Sequence, residues 1–170
     1  QLLILARFDK ANHQLAKKSV NLQTSIDDVL HRYRTAIAAK KIAVHVKATN
    51  QSTIISDPYY LDLIFDNLLS NAIKYSRLDG TINITLFQEN GQLHCQIKDT
   101  GIGIQAADIN NIFIPFFRSD ALNHKGIVGN GLGLSIVKKA CDMMGIGIVV
   151  TSEVGEGSCL SLTFKEVSIS

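Results

Sequence analysis

Apolar residues recur along this chain with two different periods, and the changes of period divide it into elements. From Asp57 to Ser76, Leu61, Ile64, Phe65, Leu68 and Ala72 repeat at helical spacing; Asp57 can cap the start and Pro58 fits the first turn, so one long amphipathic helix is predicted. A second helix is read from Ile26, Val29, Leu30, Tyr33 and Ile37, opened by Ser25 and Asp28 as a capping box with Asp in place of Glu. A third carries Leu134, Val137, Cys141 and Met144. Near the start, Leu2, Leu5, Phe8 and Leu15 can share a helical face, with Ala11 and Asn12 between them.

Alternation replaces this period elsewhere. Ile42, Val44 and Val46 predict a strand, Thr53 to Ser56 a short one, and Ile82, Ile84 and Leu86 another. Asn90-Gly91 turns that strand into the run Leu93, Cys95 and Ile97, which ends near Asp99. Ile148 to Ser152 and Leu160 to Phe164 form a last pair, joined through Gly155 and Gly157. Helices with a mostly antiparallel or mixed sheet imply an α/β fold, a two-layer sandwich.

Composition narrows the class. At 170 residues and 46% hydrophobic content the chain can bury one sizeable core. Its net charge of +2 is spread without a basic block, which argues against nucleic acid or an anionic membrane surface as a partner. Cys95, Cys141 and Cys159 are odd in number, sit in or beside apolar elements and lack metal spacing, so they read as reduced, buried thiols of a cytoplasmic protein. His45 and His94 fall in predicted strands and form no metal constellation. The apolar start, Leu2 to Ala6, is too short to cross a bilayer, and no signal peptide, repeat or low-complexity segment is visible.

Four clusters carry candidate chemistry. On the long helix, Asn67, Asn71 and Lys74 form a stripe at i, i+4 and i+7, with Tyr75 beside it. An Asn71 amide oxygen could ligate Mg²⁺ and Lys74 could neutralise phosphate, or the stripe is simply the solvated side of a core helix. Asp99, at a strand end before Gly101, Ile102 and Gly103, suits an exocyclic amine, or belongs to an ordinary tight turn. Gly129, Gly131, Leu132, Gly133 and Leu134 lead into a helix start, where amides and dipole favour phosphate. That cluster lacks the Lys-Ser/Thr ending of a P-loop and the context of a dinucleotide fingerprint. Between the glycine clusters, Ile112 to Arg118 is an aromatic knot with one cation, a wedge that anchors its loop to the core.

In order and spacing these clusters resemble the four nucleotide-binding boxes of the histidine kinase catalytic domain, within the wider ATPase family that includes gyrase, the heat-shock chaperone and the mismatch-repair protein. Asn67 to Ser76 is similar to the N box, Asp99 to Gly103 to the first glycine box, Phe113 to Arg118 to the phenylalanine box, and Gly129 to Leu134 to the second glycine box. Thr151 to Ser158 resembles the closing strand-turn-strand, so the likeness runs from about Val20 to Phe164. It implies a Bergerat-type fold binding ATP and Mg²⁺, with Asn71 on the metal and Asn67 and Lys74 at metal-associated and phosphate contacts. Tyr75 would wall the nucleoside, Asp99 with Ser158 would read adenine, and Arg118 would approach the γ-phosphate. Gly101, Ile102 and Gly103 would form the adenine-side loop; Gly129, Gly131, Leu132, Gly133 and Leu134 would shape the lid. Asn67, Lys74 and Arg118 are the catalytic candidates.

Hydrolytic relatives place a Glu four residues before the metal-binding Asn; here that position is Asn67, so no carboxylate activates water. The resemblance therefore implies a protein-histidine kinase domain of a two-component system, passing the γ-phosphate to a His on a dimerisation hairpin of the same kinase, with a response regulator receiver domain downstream. Residues 1–18 are expected to be the end of that hairpin and 19–170 the catalytic domain. His13 and His31 lack the acceptor context, so the chain is expected to be a monomeric cytoplasmic piece of a homodimer. Two departures touch packing: Ile114 stands where an acidic residue is common, and Met144 to Gly147 replaces a His-Gly-Gly run. The loop from Ser119 to Val128 is the expected lid. A hydrolytic ATPase and a nucleotide-sensing module without transfer are the other classes.

Overall fold

The computed structural model describes residues 2–8, 14–120, 127, 129 and 131–165. In chain order the elements are α1 (Leu2–Phe8), β1 (Lys18–Asn21), α2 (Leu22–Arg32), α3 (Arg34–Ala39), β2 (Ala43–Ala48), β3 (Thr53–Ser56), α4 (Pro58–Tyr75), β4 (Thr81–Glu89), β5 (Gln92–Asp99), α5 (Gly133–Met144), β6 (Gly147–Glu153) and β7 (Gly157–Phe164). The long helix begins as its sequence predicts: the Asp57 side chain accepts from the Tyr59 amide at 3.0 Å, with Pro58 in the first turn.

Five strands form one mixed sheet in the order β2-β4-β5-β7-β6, with β2 and β4 parallel and the other neighbours antiparallel. Their alternation sends Ile82, Ile84, Leu93, Cys95, Ile97 and Leu162 into a core shared with Leu61, Ile64, Phe65 and Leu68 of α4. The opposite sheet face is polar and partly exposed, as at Asn83, Gln96 and Lys98. One helical layer on one sheet face is the two-layer sandwich expected from the pattern.

Several local expectations are corrected. The second predicted helix starts at Leu22, and its cap is Asn21, whose side chain accepts from the Thr24 amide at 3.0 Å. Ser25 lies inside the first turn and donates to the Asn21 carbonyl, so Ser25 and Asp28 are not a capping box. The helix also breaks at Tyr33 into α2 and α3. β3 pairs antiparallel with β1, a strand that Lys18 to Asn21 does not announce because it lacks apolar alternation. Leu15 lies beyond α1 in non-helical chain, and Leu2 is exposed, so the proposed shared face reduces to Leu5 and Phe8. Ala11, Asn12 and His13 fall outside the described residues. Leu5 packs on Leu132 and Ile136, seating α1 on the base of α5.

One side chain that no motif announces closes the C-terminus of α4. Lys40 Nζ donates to the carbonyls of Ile73, Lys74 and Ser76 at 2.9, 2.8 and 3.0 Å. These acceptors include carbonyls of the last turn, where cationic donors are favoured. Lys40→Met should therefore cost roughly 1–2 kcal/mol, read as a lower urea midpoint with an unchanged slope.

Candidate active site

A cavity of about 760 Å³ opens between α4, the loop after β5, the β6–β7 turn and the start of α5. The stripe on α4 faces it: Asn67, Asn71, Lys74 and Tyr75 all contribute to its wall. The two amides are in different states. Asn67 is buried, and its Nδ2 donates to the Leu63 carbonyl one turn back at 2.7 Å. Asn71 has no side-chain hydrogen bond among the described residues, which leaves its amide oxygen open to the cavity.

The opposite end of the stripe is cationic. Lys74 Nζ lies 5.3 Å from the Tyr75 ring centre and close under Gly129, where a Cβ would come within 2.4 Å of it. Burial lowers the Lys74 ammonium below the ordinary lysine value, and the Arg118 guanidinium lowers it further. Burial also raises the Tyr75 phenol, against an opposing pull from Arg118. Arg118 donates to the Ile127 carbonyl. Among the described residues neither cation has a carboxylate partner, so this wall carries positive charge that an anion would balance.

Asp99 ends β5 in a buried position. Its Oδ1 accepts from the Gly101 amide at 2.9 Å and the Ser158 amide at 3.4 Å, while its other oxygen has no partner among the described residues. Burial raises the Asp99 carboxyl above the usual carboxylate range, and these two amides offset part of the rise. The loop beyond it is laced to the β6–β7 turn. Gly103 has φ of +71° and a Cβ there would lie 2.1 Å from the Glu153 carbonyl oxygen; at Gly157, with φ of +124°, it would lie 2.0 Å from that of Asp99. Only glycine permits these approaches.

Helix α5 starts at Gly133 after Leu132, with no side-chain cap. Gly131, Gly133 and Leu134 at this start line the cavity, and the amides and dipole of a helix start favour an anion. Ile102, Gly103, Gly129 and Ser158 also line the cavity. Gly101 and Leu132 do not. Gly101 holds Asp99 through its amide, and Leu132 is buried against Leu5 and Ile136.

The aromatic knot differs from the expected wedge. Ile112 is its buried member, whereas Phe116 is 60% exposed with φ of +66° and Phe117 lines the cavity. Of the expected lid, only Ser119, Asp120 and Ile127 are described, and the remainder lies outside the described residues. Cys95 and Cys141 are buried and free, with burial pushing both thiols up to about 12; Cys159 is free but partly exposed, which corrects the expectation for it. Among the described residues no cluster of His, Cys, Asp or Glu could hold a metal, and no helix is long and apolar enough to cross a membrane.

Sequence reasoning missed Ser152. Its hydroxyl accepts from the Ile104 amide at 2.8 Å and reaches the Gly157 carbonyl and Ser158 hydroxyl at 2.9 and 2.7 Å, tying the loop to the closing hairpin. The available signal was its register: it follows Ile148 and Val150 on one face of β6, a polar residue at an apolar position.

Among the described residues a helix start without a side-chain cap, two cations without a carboxylate partner, an amide without a side-chain bond and a buried carboxylate surround one cavity, a set whose chemistry suits a nucleoside polyphosphate. Residues 56–168 match the family of histidine kinase-, DNA gyrase B-, and HSP90-like ATPases, and the chain belongs to it. Sensor protein kinase WalK of Staphylococcus epidermidis is 30% identical over 166 residues, 95% of this chain and 27% of that protein. The mycobacterial sensor histidine kinase MprB superposes with a TM-score of 0.79 at 27% identity, covering 91% of this chain and all of that one. Full-length ShkA in complex with AMPPNP shares the fold, with a TM-score of 0.87 at 24% identity over 99% of this chain and 35% of that one. The chain thus spans about a quarter of the length of WalK. These relatives place it among the ATPase catalytic domains of sensor histidine kinases.

Proposed function

We propose that this domain holds Mg-ATP and delivers its γ-phosphate to a His imidazole on a dimerisation hairpin of the same kinase, for relay to a response regulator receiver domain. The observation that carries the reading is the division of one cavity between the Asp99 carboxylate and a wall made by Lys74, Arg118 and the start of α5. Adenine would lie against Asp99 and Ser158, with Tyr75 walling the nucleoside. The phosphates would lie against Lys74, Arg118 and the free amides of α5.

The residues present fit Mg²⁺, which takes oxygen ligands and keeps waters and phosphate oxygens, through the Asn71 amide, which has no side-chain bond among the described residues. When bound, Mg²⁺ neutralises phosphate charge. Asn67 holds a helix carbonyl with its amide and offers no carboxylate to activate water, which favours transfer over hydrolysis. In the transfer, an imidazole nitrogen bonds to the γ-phosphorus as the bond to the bridging oxygen breaks, ADP leaves and the imidazole loses a proton. The domain supplies position and charge compensation. Residues 1–18 carry the end of the dimerisation helix, as α1, and a non-helical run that reaches Lys18 at the start of β1, and 19–170 are the catalytic domain, acting in the cytoplasm as part of a homodimeric parent; the seating of Leu5 on α5 supports that join.

The test is to supply the domain with γ-labelled ATP, Mg²⁺ and a His-bearing hairpin from a sensor kinase. Label on the hairpin with little free phosphate is the expected result. Rapid phosphate release without the hairpin would favour a hydrolytic ATPase instead.

A further inference from the structure

Ser152 lies outside the cavity wall, directly opposite Ser158 in the β6–β7 ladder, yet its hydroxyl decides which way the Ser158 hydroxyl can point. We infer that Ser152 is a positioning residue that makes Ser158 a pure hydrogen-bond acceptor toward the cavity and so sets a preference for 6-aminopurine over 6-oxopurine nucleotides. This deepens, and rests on, the nucleotide reading above.

The argument is a proton count. Ser152 Oγ has one proton and two lone pairs. The Ile104 amide donates to it at 2.8 Å, which uses one lone pair. The Gly157 carbonyl oxygen, 2.9 Å away, can only accept, so it takes the Ser152 proton. The remaining contact, 2.7 Å to Ser158 Oγ, must then be a bond in which Ser158 donates. With its proton committed inward, Ser158 presents lone pairs alone to the cavity it lines. Asp99 adds a second acceptor, because its Oδ1 is occupied by two amides and its other oxygen has no partner among the described residues. Two acceptors side by side match an amine with two N–H groups, directly or through an ordered water, and oppose a carbonyl oxygen at the same place.

Removing the Ser152 hydroxyl would free Ser158 to rotate and donate to a 6-oxo group. The experiment measures affinities for ADP and inosine diphosphate, with Mg²⁺, by calorimetry. The wild type should prefer ADP. Ser152→Ala should narrow that preference by about fivefold to tenfold, with ADP binding falling and inosine diphosphate binding held or raised. Ser152→Thr, which keeps the hydroxyl, should retain the wild-type ratio. Ser158→Ala should also narrow it, and the double variant should go no further than Ser158→Ala alone. If circular dichroism shows Ser152→Ala unfolded, Ser152→Cys, a weaker acceptor for the Ser158 proton, carries the same expectation.

An unchanged ratio in Ser152→Ala or its Cys substitute, or additive losses in the double variant, would overturn the inference while leaving ADP binding, and the nucleotide reading, intact. A folded wild type that binds neither nucleotide would overturn that reading and the inference with it.

Discussion

Asn71→Ala should lose Mg²⁺-dependent ADP binding by about 100-fold, the upper end of what removing a group around a metal costs. The expectation rests on a contrast along one helix stripe. Asn67 has its amide nitrogen bonded to the Leu63 carbonyl, while Asn71 has no side-chain bond among the described residues and faces the same cavity. Among those residues no carboxylate cluster stands by to replace it. A hard cation would take the Asn71 amide oxygen together with phosphate oxygens and waters, with the Asn67 oxygen in the same wall as a metal-associated contact. Calorimetry with and without Mg²⁺ separates the roles: without metal the variant should match the wild type, and with metal only the wild type should tighten. Equal tightening in a folded Asn71→Ala variant would remove Asn71 from the metal.

Much of this site was legible because its residues are close in sequence or held by periodicity. The α4 stripe needed only a helix with a visible cap, since spacing of four and three residues then puts Asn67, Asn71 and Lys74 on one side. Asp99 and the glycines beyond it were legible as a strand end and loop. What was not legible is long-range and polar. Ser152 meets Ile104 across 48 positions, and Lys40 reaches the end of α4 across more than 30; neither separation leaves a local pattern. β1 was missed because its four residues carry one apolar side chain, and its strand character comes from pairing with β3. The α2 start was misplaced for a related reason: Asn21 and Ser25 are both plausible caps, and the choice falls to Asn21, where β1 ends.

Asp99→Asn should weaken ADP binding by roughly 10- to 100-fold, the range expected for loss of a charge-assisted bond to the adenine amine, and at the same time stabilise the empty domain at neutral pH. The second half follows from the sign of the Asp99 shift. Burial raises its folded carboxyl above the unfolded value, and the Gly101 and Ser158 amides do not cancel that rise. A raised folded pKa means that the folded state holds the proton more tightly. The corresponding stability is fully present below the unfolded value of about 3.9 and is lost as pH rises through the folded value. As pH rises above the unfolded value, the folded wild type must hold that proton or ionise in a buried site, a cost that Asp99→Asn avoids while Asn can still accept from Gly101. Thermal unfolding of both empty proteins across pH 4 to 7 should show the variant's Tm advantage growing with pH. A variant less stable at pH 7, by an amount that does not change with pH, would mean that Asp99 supports the fold. The expected opposite outcome would mean that stability is given up at this position to keep an acceptor for the nucleotide.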